Sequence, residues 1–204
     1  MKDNKGFWNR WAKRYDATMK KDRAAYERIA VKIKQGLNRS MTVLELACGT
    51  GILSERLAGS VRMLEATDFS EEMIREAKKH PSSARLHYSV QDATNLTYAD
   101  ASFDAVVISN ALHIMPEPEK ALAEIRRVLK QDGILFAPTF TAAESLLGRT
   151  RIHIMELSGF RVFHRWMPQE YLRFLQDNGF AVTDREVLGG VLALTCAEAK
   201  KEEK

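Results

Sequence analysis

A chain of 204 residues, 45% hydrophobic and 28% charged, has the composition of an ordinary soluble globular protein, and is long enough for one domain with a sizeable core. No apolar run approaches the ~20 residues of a membrane span, the start "MKDNKGFWNRWAKRYD" has no apolar signal region, and Cys48 and Cys196 form neither a metal-ligand pattern nor a disulfide framework, so the expected compartment is a reducing cytoplasm. The net charge of +4 is uneven: residues 1–39 hold 12 Lys or Arg against 4 acids, which is +8 and leaves −4 for the remainder. Such a basic arm suits an anionic lipid surface, a nucleic acid, or a solvated helical face.

In chain order, the first ~35 residues read as two helices. Phe7, Trp11 and Tyr15 line one face of the first, and Tyr26, Ile29, Ala30 and Ile33 one face of the second. From residue 41 the pattern alternates. Apolar strand candidates fall at 42–47, 62–68, 85–91, 103–110 and 134–140. Between them lie helical stretches: "GILSERLAGS", stopping at Gly59; "SEEMIREAKKHP", with Ser70 as N-cap; and "EPEKALAEIRRVLKQDG", stopping at Gly133. Strands alternating with helices imply right-handed crossovers and a mainly parallel sheet. Near the C-terminus, "FAVTDREVL" and "VLALTCAEA" flank Gly189-Gly190, a hairpin signal that makes the last two strands antiparallel.

The stretch "VLELACGTG" (43–51) carries most of the chemistry. In a doubly wound sheet, ligands bind at the carboxyl ends of the strands. Gly49 and Gly51 let a ligand come against the main chain, and the loop amides can donate to it. A dinucleotide fingerprint would be G-x-G-x-x-G without an acid, because pyrophosphate is anionic. Here only G-x-G is present and Glu45 stands just before it, which disfavours an anion and a nicotinamide oxidoreductase. Asp68, after the second strand, is placed to accept from ribose hydroxyls. A ribose, a positive ammonium or sulfonium and no phosphate describe S-adenosylmethionine.

Together with "ATDFSEEMIREAKK", "QDATNLTYADASFDAVVISNALHIM" and the upstream "WAKRYD", this stretch resembles the class I S-adenosylmethionine-dependent methyltransferases, in particular the small-molecule branch that includes ubiquinone and menaquinone biosynthesis enzymes. The resemblance implies an α/β, Rossmann-like, seven-stranded, mostly parallel sheet in the order 3-2-1-4-5-7-6, with the last strand antiparallel and helices on both faces. An N-terminal helical cap (1–40), a methyltransferase domain (41–199) and a charged tail (200–204) follow from it. It also implies roles. Glu45, Ala47, Gly49 and Gly51 match the glycine-rich loop, although the family usually has glycine at the position of Ala47. Asp68 matches the ribose-binding acid and Phe69 would pack on the adenine. Asp92 and Ala93 match the adenine site, and Asn110 and Ala111 the methionine end. Tyr15 matches an aromatic that closes over the cofactor, and Tyr15 and His113 are the catalytic candidates, His113 as general base or acceptor-positioning group.

Each has a plainer account as well. Tyr15 sits on an apolar stripe, Phe69 suits a core, and His113 suits a structural hydrogen bond. Residues 109–112 read "SNAL", without the N-P-P-Y pattern of nucleobase and amide N-methyltransferases. The stretch "GRTRIHIMELSGFRVFHRWMPQEY", with Arg149, Arg151, Arg161, Arg165 and Arg173 nearby, occupies the usual place of the acceptor pocket and suggests an anionic or amphipathic small-molecule acceptor. A non-catalytic adenosylmethionine-binding or regulatory protein, and an RNA or protein methyltransferase using the basic arm, are the alternatives, and no RNA-binding module accompanies the arm.

Overall fold

The structure is a computed structural model that describes residues 3–19, 23–80, 83–141, 156, 159–188 and 193–202. Two helices come first, α1 (Lys5–Met19) and α2 (Arg23–Gln35). Then strands and helices alternate: β1 (Thr42–Leu46), α3 (Ser54–Leu57), β2 (Met63–Asp68), α4 (Glu71–Ala77), β3 (Leu86–Val90), β4 (Phe103–Ile108), α5 (Pro118–Val128), β5 (Leu129–Phe136) and β6 (Thr139–Thr141). The helix here labelled α6 (Pro168–Asp177) precedes β7 (Phe180–Leu188) and β8 (Ala193–Lys201).

The sheet runs β3-β2-β1-β4-β5-β8, with β6 and β7 both paired to β8. β5 and β6 are two pieces of one strand path, since both lie antiparallel to β8. Counted as one strand, they give the order 3-2-1-4-5-7-6 with an antiparallel end, as the family resemblance implied. The path breaks at Ala137-Pro138 because proline has no N–H to give the ladder. The carbonyls at the break are used instead: Asn110 N donates to Pro138 O (2.8 Å), and the buried Tyr171 hydroxyl on α6 donates to Ala137 O (2.7 Å). The break thereby ties the end of β4 to β5 and fixes α6 on the sheet.

Successive strand residues face opposite sides, so each face has its own core. Leu44, Leu46, Leu122, Ile125 and Leu175 pack on the face covered by α5 and α6. Val43, Ile29, Ile33, Leu57 and Ile74 pack on the face covered by α2, α3 and α4. A strand buried on both sides reads as a continuous apolar run, and this is why Glu45 stands out in β1.

Several local readings change. The helix expected to stop at Gly133 ends at Val128, and Gly133 lies inside β5, where a Cβ would come within 2.7 Å of the Leu129 side chain. A helical period and a buried strand are hard to tell apart in "RVLKQDGILF", and pairing to β4 decides for the strand. Ser70 is the N-cap of α4, accepting from Met73 N at 3.2 Å. β8 runs on to Lys201, into the residues read as a charged tail, because Phe180 pairs with Lys201 at the end of β7. The Gly189-Gly190 turn lies outside the described residues, while the antiparallel pairing it announced is present. No helix among the described residues is long and apolar enough to cross a membrane.

Candidate functional site

Above the carboxyl ends of β1, β2 and β4 lies a cavity of about 270 Å³. β1 and β4 both end in left-handed residues, Ala47 (φ 54°) and Asn110 (φ 53°), which turn the chain away from the sheet and open the crevice. Left-handed backbone costs a non-glycine residue roughly 1–2 kcal/mol, which explains why glycine suits the position of Ala47. Asparagine tolerates it better, because its short polar side chain can bond locally.

The cavity wall includes Glu45, Ala47, Gly49, Asp68, Phe69, Asp92, Ala93, Asn110, Ala111 and Tyr15. The cofactor positions read from the sequence are therefore brought together, with one exception. Gly51 does not line the cavity. It has φ 85°, and a Cβ there would fall 2.1 Å from the Tyr88 hydroxyl. Its glycine serves packing of the turn onto β3. Gly49 has φ 57°, and a Cβ there would sit 3.6 Å from the Tyr15 ring, facing the roof.

Asp68 is buried and tied down at both oxygens: Gly49 N donates to Oδ2 and Ser70 N to Oδ1, each at 2.9 Å. The carboxylate thus joins the glycine turn of β1 to the start of α4. Burial raises its pKa to about 6, with the two N–H groups pulling back. Glu45 is 2% exposed and its Oε2 has no hydrogen-bond partner. Burial pushes the Glu45 carboxyl up to about 8; the nearby Ser54 hydroxyl offsets part of this and the charge of Asp68 adds to it. Ser109 Oγ and Asn110 Oδ1, at the end of β4, are also buried without partners. Asp92 is exposed and holds its own turn, accepting from Thr94 N (2.9 Å) and Thr94 Oγ1 (2.8 Å).

α1 forms the roof, with Asn4 just before it and Trp8 and Tyr15 within it lining the cavity. Asn4 is 2% exposed with all its polar atoms used: Nδ2 donates to Ile114 O (3.0 Å) and Arg161 O (2.9 Å), and Oδ1 accepts from Arg161 N (3.0 Å). Further along, Thr50 Oγ1 of the glycine turn donates to Asp16, and Ser70 Oγ donates to Asn9 Oδ1 (2.5 Å). Tyr15 and Tyr26 hydroxyls meet at 3.2 Å. Phe7 and Trp8 pack against Phe160, with ring centroids 5.3 and 5.6 Å apart. None of these partners could be found from spacing, since Asn4 and Arg161 are 157 residues apart. The excess of aromatics in the first helix was the available signal.

His113 is placed elsewhere. It is buried, its Nδ1 lies 2.9 Å from Thr139 Oγ1, and it does not line the cavity. Burial, with His164 nearby, pushes its imidazole down to about 4, so it is neutral near pH 7. Its carbonyl accepts from Phe163 N (3.1 Å) and His164 N (3.0 Å), tying the segment before α6 to the end of β4. Of the arginines expected around the acceptor, Arg149 and Arg151 lie outside the described residues, and Arg161, Arg165 and Arg173 do not line the cavity.

The chain matches the family described as "Methyltransferase domain" over residues 44–137. It is 33% identical over 173 residues to a demethylmenaquinone methyltransferase of Clavibacter sepedonicus, covering 74% of this chain and 71% of that one. A demethylmenaquinone methyltransferase of Renibacterium salmoninarum is 35% identical over 184 residues, covering 79% and 77%. This chain belongs to the class I S-adenosylmethionine-dependent methyltransferases. The fold agrees with solved structures: that of DhpI with SAH (TM-score 0.77, 23% identity, 98% of this chain and 96% of that one) and PH0226 of Pyrococcus horikoshii OT3 (0.71, 22%, 90% and 92%).

The cofactor of the methyltransferase is S-adenosylmethionine, and the cavity's own chemistry fits it. Among the described residues, five carboxylates line the wall (Asp3, Glu45, Asp68, Asp92 and Glu117) and no Lys, Arg or His does. A phosphate-bearing ligand would find no counter-charge among them. A cationic, hydroxyl-rich ligand relieves two buried acids whose ionisation is otherwise opposed by burial. A pH dependence follows. For both acids the folded pKa is raised, so their contribution to stability is complete below the unfolded values near 4 and is lost as pH rises through the folded values of about 6 and about 8. The unliganded methyltransferase is therefore expected to lose thermal stability between about pH 4 and about pH 8, and Glu45→Gln should flatten the upper part of that decline. Thermal melts across a pH series check this; an identical decline in Glu45→Gln would assign it to other groups.

Proposed function

We propose that this methyltransferase alkylates a small, uncharged, ring-bearing acceptor, of the class named by its demethylmenaquinone-methylating relatives. The observation that carries the reading is the cavity wall, with five carboxylates and no basic side chain among the described residues. An anionic acceptor would be repelled by these carboxylates, which favours the uncharged acceptor over the anionic one that the arginine-rich segment suggested. Trp8, Ile114, Met115 and Pro116 supply apolar surface in the same wall.

When bound, S-adenosylmethionine supplies an electrophilic methyl on a neutral leaving group. The chain's residues hold and orient. Glu45 and Asp68 favour the positive charge and the ribose hydroxyls, Phe69 and Ala93 offer apolar surface to the base, and Ser109 and Asn110 present unpartnered polar atoms near the end of β4. The α1 roof covers one side of the cavity with Trp8 and Tyr15. Cys48 Sγ is a weak base candidate, because burial raises its thiol well above the usual range. Acceleration then comes chiefly from alignment, for which effective molarities can supply ~7–11 kcal/mol. The acceptor arrives as a nucleophile, as the reduced, phenolic form of a quinone does, and the proton it gives up as the methyl is taken passes to solvent, since His113 does not line the cavity.

The experiment is turnover on paired acceptors, a reduced demethylated quinone and the same ring carrying a carboxylate, followed by adenosylhomocysteine release. Turnover of the neutral member, and at least roughly tenfold less of the carboxylated one, is the expected result. Preference for the carboxylated member would sink the reading. Turnover of RNA or protein, with none of either ring, would favour a macromolecular acceptor.

A further inference from the structure

α1 has two faces of different character. Phe7, Trp8, Trp11, Ala12 and Tyr15 turn inward, toward the cavity and Phe160. Gly6, Arg10, Lys13, Arg14 and Ala17 fall on the opposite face at helical spacing, and all are exposed. Among the described residues, the side chains of Arg10, Lys13 and Arg14 make no ion pair or hydrogen bond. The acids nearby are already engaged. Glu71 bonds Lys5 (2.8 Å), Asp16 takes Thr50 and His80, and Asp3 accepts from Lys5 N (3.0 Å). The outside of the roof is thus a stripe of three uncompensated cations, while the cavity beneath it is lined with carboxylates.

We propose that this outer face of α1 docks on an anionic lipid bilayer. Charge complementarity selects an anionic surface. Two observations favour lipid over nucleic acid. The exposed large hydrophobic residues among the described residues are Val31, Val90, Met167 and Val187, so the stripe has no aromatic platform on which a base could stack. The acid-lined cavity under the stripe also repels a phosphate backbone, so a nucleic acid held outside could not offer a nucleotide to the site. A bilayer can hold an uncharged, ring-bearing acceptor while its headgroups meet the cations. The choice of lipid rests on the acceptor class proposed above, but the docking is measured without any acceptor.

Each Lys or Arg near an anionic leaflet improves binding about fivefold, so three change it about a hundredfold. The test is flotation with vesicles of phosphatidylcholine alone and with vesicles rich in phosphatidylglycerol. The wild type is expected to float with the second kind only, and less so at high salt. Arg10→Glu/Lys13→Glu/Arg14→Glu should lose that binding at least about a hundredfold, since it removes three positive charges and adds three negative ones, while still binding adenosylhomocysteine, which shows that it is folded. The control Arg173→Glu/Arg185→Glu changes exposed arginines on α6 and β7 and should float largely as the wild type does. Unchanged flotation of the α1 variant, equal loss in the control, or no wild-type preference for anionic vesicles overturns the proposal. So does tight binding of a single-stranded RNA oligonucleotide that only the α1 variant loses. A failed acceptor assay leaves these results standing, so the two readings fail separately.

Discussion

Asp68→Ala is expected to weaken S-adenosylhomocysteine binding by at least about a hundredfold, measured by calorimetric titration. The carboxylate accepts Gly49 N and Ser70 N and lines the cavity that the ribose would enter. Hydrogen bonds to a charged group contribute roughly 1.5–3 kcal/mol each, and two hydroxyls would be lost at once. Removal also frees the glycine turn from α4, so the melting temperature must be followed alongside. Asp68→Asn keeps the shape and one good acceptor, and should bind between the two. A folded Asp68→Ala that binds as the wild type does would mean that the ribose lies elsewhere and that Asp68 is only a brace.

The largest loss of stability is expected at a glycine that does not line the cavity. Gly51→Ala places a Cβ 2.1 Å from the Tyr88 hydroxyl and 2.8 Å from Cζ, at φ 85°. Left-handed strain costs roughly 1–2 kcal/mol and overpacking roughly 1–3, so the sum of about 2–5 kcal/mol is a large share of a typical domain's 5–15. In a Tyr88→Phe background the nearest atom is gone, and about 1–2 kcal/mol should return. Urea midpoints of the four proteins form the cycle. Equal cost in both backgrounds would mean that backbone strain, and not the hydroxyl, makes glycine necessary.

Much of the architecture was legible because its signals are local. Strand-length apolar runs, the Ser70 cap and the glycine break after β1 are each read within a few residues. The Gly51 position was legible as a glycine requirement, but its cause was not, because Tyr88 comes from β3. His113 was read toward the reaction because it follows β4 closely, and the three-residue turn of Leu112–Ile114 instead buries it beside Thr139. Asn4 gave no signal at all: a polar residue in a basic arm looks solvated until the loops after β4 and before α6 close around it. The acid-lined cavity wall could not be read either, since Asp3, Asp68 and Glu117 come together only in the fold.

β8 sits between β5/β6 and β7, although it follows all of them in the chain. During synthesis, β7 emerges before the strand that will join it to the sheet. Until residues 193–201 have left the ribosome, β5 keeps an open edge and α6 rests on a half-built floor. A nascent chain stalled upstream of Ala193 would expose that edge to its neighbours, an edge that invites pairing with another chain until β8 emerges.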